Sequence, residues 1–139
     1  MKRILGIDYG DVRTGIAVSD PLGIMASGVG TFTAYSEERL LETVLSKIAE
    51  YDARLIVMGD PINMNGTVGE RSEKVKRFAS VLREASGLEV ILIDERMTTM
   101  EAHRYLSATD TRGKKRKNAV DTLSAEIILQ TYLDSPANK

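Results

Sequence analysis

The chain reads as an α/β protein, a mixed five-stranded sheet with helices on both faces, and three observations predict it. Residues 3–34 hold strand-like stretches separated by short turn signals, as antiparallel strands do. LIVM at 55–58 and LEVILID at 88–94 are short apolar runs of the kind found in parallel strands covered on both sides. Between and after these runs, apolar residues recur at helical spacing. The order is βββαβαβα, with one short helix before the last: a hairpin-rich start followed by βα units.

Taken in order, residues 3–9 and 13–19 form strands joined by the turn signal Gly10-Asp11. A third strand covers 28–34, weakened by Gly28 and Gly30. Ser36 is the N-cap of a helix over 36–51, with Glu37 and Glu38 at its positive dipole end and Leu40, Leu41, Val44, Leu45 and Ile48 on one face. The 55–58 run is the next strand, and GDPINMNGTVG at 59–69 is a loop by composition. A second helix spans 70–86, turns Val75, Phe78, Ala79 and Leu82 inward and stops at Gly87. After the 88–94 strand, Thr98 and Glu101 form a capping box that starts a short helix to about Leu106. SATDTRGKKRKN reads as a polar loop, and a last helix runs over 118–134. No linker, repeat or low-complexity segment divides residues 1–139, so one domain is expected, with a frayed tail over 135–139.

Composition narrows the function classes. Hydrophobic content of 42% and charged content of 28% are ordinary for a water-soluble domain. The chain has no cysteine, which excludes disulfides and thiolate metal sites and suits a reducing cytoplasm. Lys2 and Arg3 precede an apolar run, but Asp8 interrupts it too early for a signal-peptide core. No stretch approaches the roughly 20 apolar residues of a membrane span. The net charge of −1 does not mark a polyanion binder, although RGKKRK sets Arg112, Lys114, Lys115, Arg116 and Lys117 almost side by side. Such a run is either a solvated loop or a phosphate-contacting patch.

Three carboxylates stand where burial is expected. Asp8 interrupts an apolar strand, and an unpaired carboxylate there costs several kcal/mol to desolvate. Glu95, or its neighbour Asp94, stands at the exit of the last strand. Asp121 lies in AVDTLSAEIILQTYL, a helix apolar nearly all round, where its bland explanation is the dipole near a helix start. Sites of α/β sheets gather outside the carboxyl ends of parallel strands, so these acids can converge there. Converging carboxylates cannot all stay ionised without a cation, and oxygen donors suit Mg²⁺ or Mn²⁺. Two such ions would make a phosphodiester-hydrolysing centre.

GIDYGDVRTGIAVSD, DERMTTMEAHRYL and KKRKNAVDTLSAEIILQTYL, with GDPINMNGTVGERSEKVKRFA between the first two, resemble the YqgF family of Holliday-junction resolvases and pre-16S rRNA nucleases. The resemblance runs through nearly the whole chain in the family's order and implies a ribonuclease-H-like fold. It implies a Mg²⁺- or Mn²⁺-dependent nuclease that hydrolyses phosphodiesters in structured RNA or branched DNA, with Asp8, Glu95 and Asp121 as catalytic metal ligands. Arg13 and Arg96 would contact phosphates, and Asn63 and Gly66 would lie along the substrate groove. Gly59-Asp60-Pro61 departs from the family's usual Gly-Leu-Pro, so Asp60 is a fourth acid near the metals or, the favoured reading, a turn residue that caps local backbone.

On this reading the protein processes the 5′ end of pre-16S rRNA during ribosome biogenesis in the cytoplasm. The alternatives are a junction resolvase, which needs two sites on a two-fold axis, and an RNA-binding module that does not cut. Monomer and homodimer both remain open. A sugar-kinase-like ATPase is disfavoured because the chain holds one such domain rather than two and has no Walker-type loop. Sparse aromatics argue against a stacking platform for single strands. His103, the single histidine, is assigned a structural role, and Tyr105, Leu106 and Tyr132 are assigned to the core rather than to a dimer contact.

Neutralising Lys114, Lys115 and Arg116 together should weaken nucleic-acid binding and lower its salt slope by up to about one unit per cation. A slope equal to that of the wild type, measured by fluorescence anisotropy, would return the run to solvent.

Overall fold

β1 (Arg3–Asp8) and β2 (Arg13–Ser19) form an antiparallel hairpin in which Leu5 stands opposite Val18 and Asp8 opposite Gly15. The computed structural model describes residues 3–62, 65, 66, 68–95 and 113–138, and of 113–120 the backbone only. β3 (Ala26–Thr33) adds to β2 antiparallel, while β4 (Ala53–Asp60) runs parallel to β1 and β5 (Val90–Asp94) parallel to β4. The five-stranded sheet has the order β3-β2-β1-β4-β5. α1 (Glu37–Tyr51) and α2 (Glu70–Ser86) cover one face, α3 (Gly113–Leu133) covers the other, and a 3₁₀ turn follows at Pro136–Asn138. The expected helix between Thr98 and Leu106, with His103 and Tyr105, lies outside the described residues. Among the described residues, no helix is long and apolar enough to cross a membrane.

Local chemistry fixes the ends of the first two helices. Ser36 caps α1 by accepting the Arg39 N–H at 3.2 Å, and Glu37 and Glu38 follow in the first turn. Asp52 ends the helix in the left-handed region, where a short polar side chain is tolerated. α2 stops at Gly87, whose φ of 72° closes the helix with its N–H on the Arg83 carbonyl.

Two cores hold the layers together. Leu5, Ile7, Ile16, Ile56 and Met58 pack against Leu40 and Val44 of α1 and against Val75, Phe78 and Leu82 of α2. Ile4, Ala17 and Val57 pack against Ala125, Ile128, Leu129 and Tyr132 of α3. Ile56, Val57 and Met58 are therefore buried in succession, alternately into one core and the other, which is why that strand reads as a continuous apolar run. Tyr132 is core, as expected.

α3 comes close to the sheet because small residues line up beneath it. Gly6, Ala17 and Gly28 form one row across β1, β2 and β3, and Asp8, Gly15 and Thr31 form the next. A Cβ on Gly6 would stand 2.7 Å from the Leu129 Cβ, and one on Gly15 would stand 2.0 Å from the Asp121 carbonyl oxygen. The Thr31 and Thr122 hydroxyls meet at 2.7 Å beside that contact.

Strand ends shift by a residue or two, with β3 starting at Ala26 rather than 28, β4 spanning Ala53–Asp60 around the 55–58 run and β5 starting at Val90 rather than 88, and two further departures are larger. α3 begins at Gly113 rather than near 118, so Lys114, Lys115 and Arg116 stand in its first turn and not in a loop. Lysine and arginine are good helix formers, but cations at the positive dipole end oppose the usual start signal. In the tail, where fraying is expected over 135–139, Pro136–Asn138 form a 3₁₀ turn in which the Asn138 amide donates to the Gly23 and Leu133 carbonyls, each at 3.0 Å.

Gly15→Ala should destabilise the protein by about 1–3 kcal/mol, because the obstructing atom is backbone and α3 must lift to admit the methyl. Urea unfolding would show a lower midpoint at unchanged slope. A midpoint equal to that of the wild type would show that α3 can ride higher without cost.

Candidate active site

Side chains alternate across a strand, and this alternation sorts the acids at the carboxyl ends of the parallel strands. In β1, Leu5 and Ile7 face α1 and α2, so Asp8 faces α3. In β5, Leu92 packs on the α1–α2 side and Ile93 on the α3 side; Asp94 therefore falls to the first side and Glu95, just beyond the strand, to the second. Glu95 lies over Gly59, where its Cγ and Oε1 come within 2.7 Å of the position a Cβ would take, beside Ile128 of α3. Asp60, in register with Asp94, follows Met58 onto the α2 side.

The structure brings Asp8 and Glu95 into contact through a side-chain hydrogen bond. The Asp8 carboxyl is pushed well above its usual range, first by burial, then by the Glu95 charge and the shared hydrogen bond, and further by Asp121; Arg71 acts in the opposite direction. Two carboxyl groups in contact cannot both be ionised, so they share a proton or take a cation.

Asp121 stands in the same region but is turned differently. Its backbone rests on Gly15, the residue paired with Asp8, and its Oδ2 lies 3.4 Å from Arg13 Nε. That oxygen is buried and accepts no hydrogen bond. Burial raises the Asp121 carboxyl, and Arg13 and then Arg71 draw it back down. Asp121 is eight residues past Gly113, too deep in α3 for a helix-start dipole to explain it. Among the described residues, no three carboxylates form a ready-made metal cage: Asp8 and Glu95 touch, while Asp121 is held by Arg13. The donor set nevertheless fits a hard cation, being all carboxylate oxygen with one buried oxygen lacking a hydrogen bond.

The other nominated residues are distributed as follows. Arg13, expected to contact phosphate, is ion-paired with Asp121. Gly66 is exposed with φ 86°, and Asn63 and Arg96 lie outside the described residues. Lys114, Lys115 and Arg116 start α3, described by backbone alone.

Asp60 does not cap local backbone with its side chain. It ends β4, is 6% exposed, and its Oδ1 accepts the buried Ser72 hydroxyl at 2.5 Å, tying the start of α2 to the strand. The tight turn after it is made by backbone, Ile62 N–H to the Asp60 carbonyl at 2.9 Å. Sequence reasoning also passed over Arg71, whose charge acts on both Asp8 and Asp121. The available signal was its position next to Ser72 in a helix start that follows the second βα loop.

Comparison with known proteins bears on this arrangement. A family model described as RuvX: Holliday junction resolvase matches residues 2–135. The chain is 45% identical over 138 residues to the "Putative pre-16S rRNA nuclease" of Thermoanaerobacter pseudethanolicus, covering 99% of each chain. It is 46% identical over 135 residues to the protein of the same name from Bacillus cytotoxicus, covering 96% of this chain and 98% of that one. Its fold matches T. thermophilus RuvC in complex with Holliday junction substrate at TM-score 0.59 and 13% identity, covering 96% of this chain and 97% of that one. The fowlpox virus Holliday junction resolvase matches at TM-score 0.56 and 10% identity, over 95% and 98% of the two chains. These likenesses establish the α/β, ribonuclease-H-like fold that the sequence motifs implied. The chain belongs to the RuvX Holliday junction resolvase family of nucleases.

Proposed function

We propose that this nuclease depends on Mg²⁺ or Mn²⁺, two ions when fully loaded, and processes the 5′ end of pre-16S rRNA. The observation that carries the reading is the buried contact between Asp8 and Glu95 beside Asp121, where carboxylates meet at the cost of their own charge repulsion. Asp8, Glu95 and Asp121 would hold the cations. When bound, divalent cations lower the pKa of water and stabilise charge on phosphoryl oxygens. The protein's own part is to orient and to exclude solvent. Ile128 and Gly59 confine the Glu95 side chain, Gly15 lets Asp121 come down beside Asp8, and Arg13 keeps the Asp121 carboxylate aligned until substrate arrives. The rRNA substrate is favoured by relatives named for it along their whole length. Cytoplasmic location follows from that substrate.

A second reading is cleavage of four-way DNA junctions. It is favoured by the family description and by a fold neighbour in complex with such a junction. Paired cuts would require a dimer with two sites on a two-fold axis.

Incubation with Mg²⁺ or Mn²⁺ and three substrates separates the readings: an RNA with an unprocessed 16S 5′ end, a four-way DNA junction and a matched duplex. Cleavage of the RNA, slowed roughly 10²–10³-fold in Asp8→Asn, is expected. Symmetric nicks in the junction alone would favour the resolvase.

The same variant carries a stability prediction. Because the Asp8 carboxyl is raised in the folded state, the unfolded chain loses its proton first as pH rises past 3.8, and the metal-free fold loses stability from there upward. Asp8→Asn removes that penalty. Without metal, its melting temperature should exceed that of the wild type at pH 7.5, and the gap should shrink toward pH 4. Added Mg²⁺ should stabilise the wild type and not the variant. A variant less stable at pH 7.5 would make Asp8 a structural hydrogen-bonding residue.

A further inference from the structure

The cations around the acid group are not equally available. Arg13 is paired with Asp121 at 3.4 Å, Lys74 with Asp11 at 3.3 Å, and Arg77 with Glu37 at 3.6 Å. Arg71 is exposed and, among the described residues, closes no ion pair. Its neighbour fixes the backbone that carries it. Ser72 is fully buried and bonded to Asp60 at the end of β4, and Arg71 is its neighbour, about 100° further round the first turn of α2. β4 lies between β1, which ends at Asp8, and β5, which leads into Glu95. α2 packs on the face of the sheet opposite these acids, but its start is tied to the end of β4, between the strand ends that carry them, and the Arg71 charge acts on Asp8 and Asp121.

We infer that Arg71 is a phosphate-contacting residue of this site: the Ser72–Asp60 bond holds it at the rim, where its guanidinium takes a non-bridging oxygen of the phosphodiester being cut. The inference rests on the nuclease reading of the site. A guanidinium presents a planar fork of donors that matches two phosphate oxygens and cannot lose its proton near neutral pH. Arg71 forms no bond and moves no proton. It holds the negative charge that builds on the phosphoryl oxygens as the water oxygen bonds to phosphorus and gives up a proton to solvent, while the ester oxygen leaves and takes a proton from solvent. Its field also reaches Asp8 and Asp121, where it favours the ionised carboxylates. A cation at the edge of an acidic group, unpaired among the described residues, is what a site needs if its substrate is as negative as its ligands.

The test compares full-length wild type, Arg71→Ala, Arg71→Lys and, as control, Lys76→Ala, an exposed α2 cation. Two readouts are taken on the 16S-end RNA: kcat with Mg²⁺, and the salt dependence of binding without divalent metal. Arg71→Ala should lower kcat about 10²-fold and reduce the salt slope by about one unit, at unchanged melting temperature. Arg71→Lys should keep the slope and recover only part of the rate, because it keeps the charge and loses the fork. Lys76→Ala should change neither. Arg71→Ala matching Lys76→Ala in both readouts overturns the inference, and so does a lost rate with an unchanged slope and a lowered melting temperature. A wild type that cleaves nothing while Arg71→Ala still lowers the slope overturns the nuclease reading and upholds the phosphate contact.

Discussion

The contact on which the rest depends is that of α3 with the sheet at Gly15. Hydrogen there leaves room for the Asp121 carbonyl, and Gly15 is the cross-strand partner of Asp8. One missing methyl thus sets how near a helix-borne acid comes to a strand-borne one. Gly6 and Gly28 repeat the arrangement one row further along, so the helix is seated on the sheet over more than two of its turns. The apolar area those glycines do not supply comes from the helix itself, through Ile128, Leu129 and Tyr132. Packing and chemistry are here the same decision.

Local signals were legible wherever one residue's own chemistry sets the structure. Ser36 caps α1 and Gly87 ends α2 because an oxygen acceptor and a missing Cβ do those tasks in any context. The buried strands were legible from their apolar runs, and Asp8 from its conflict with its neighbours. The start of α3 was not, because Lys114, Lys115 and Arg116 run against the dipole and read as solvent-facing loop. Asp121 was legible as an anomaly but not as a partner of Arg13, since an ion pair between β2 and α3 leaves no trace in spacing.

Asp60 shows the limit more sharply. Next to a proline and after a glycine it has every mark of a turn residue, and its backbone does make the turn. Its side chain answers to Ser72, twelve positions later, which only the packing of α2 on β4 reveals. Arg71 was overlooked for the same reason: its importance follows from where Ser72 is anchored, and no motif of its own announces it.

The pleat that divides the acids between two faces has a consequence for how this chain can change. Asp94 and Glu95 are neighbours in sequence but belong to opposite sides of the sheet, one beside Asp60 and the other beside Asp8. A carboxylate in this region is thus addressed by odd or even position rather than by proximity along the chain. Substituting a core residue in β5 perturbs packing locally, whereas deleting one residue ahead of Glu95 would invert the addresses, delivering Asp94 to the Asp8 side and Glu95 to the Asp60 side. Parity makes the strand intolerant of length change even where it is forgiving of side-chain identity, because the length of β5 decides which acid meets Asp8.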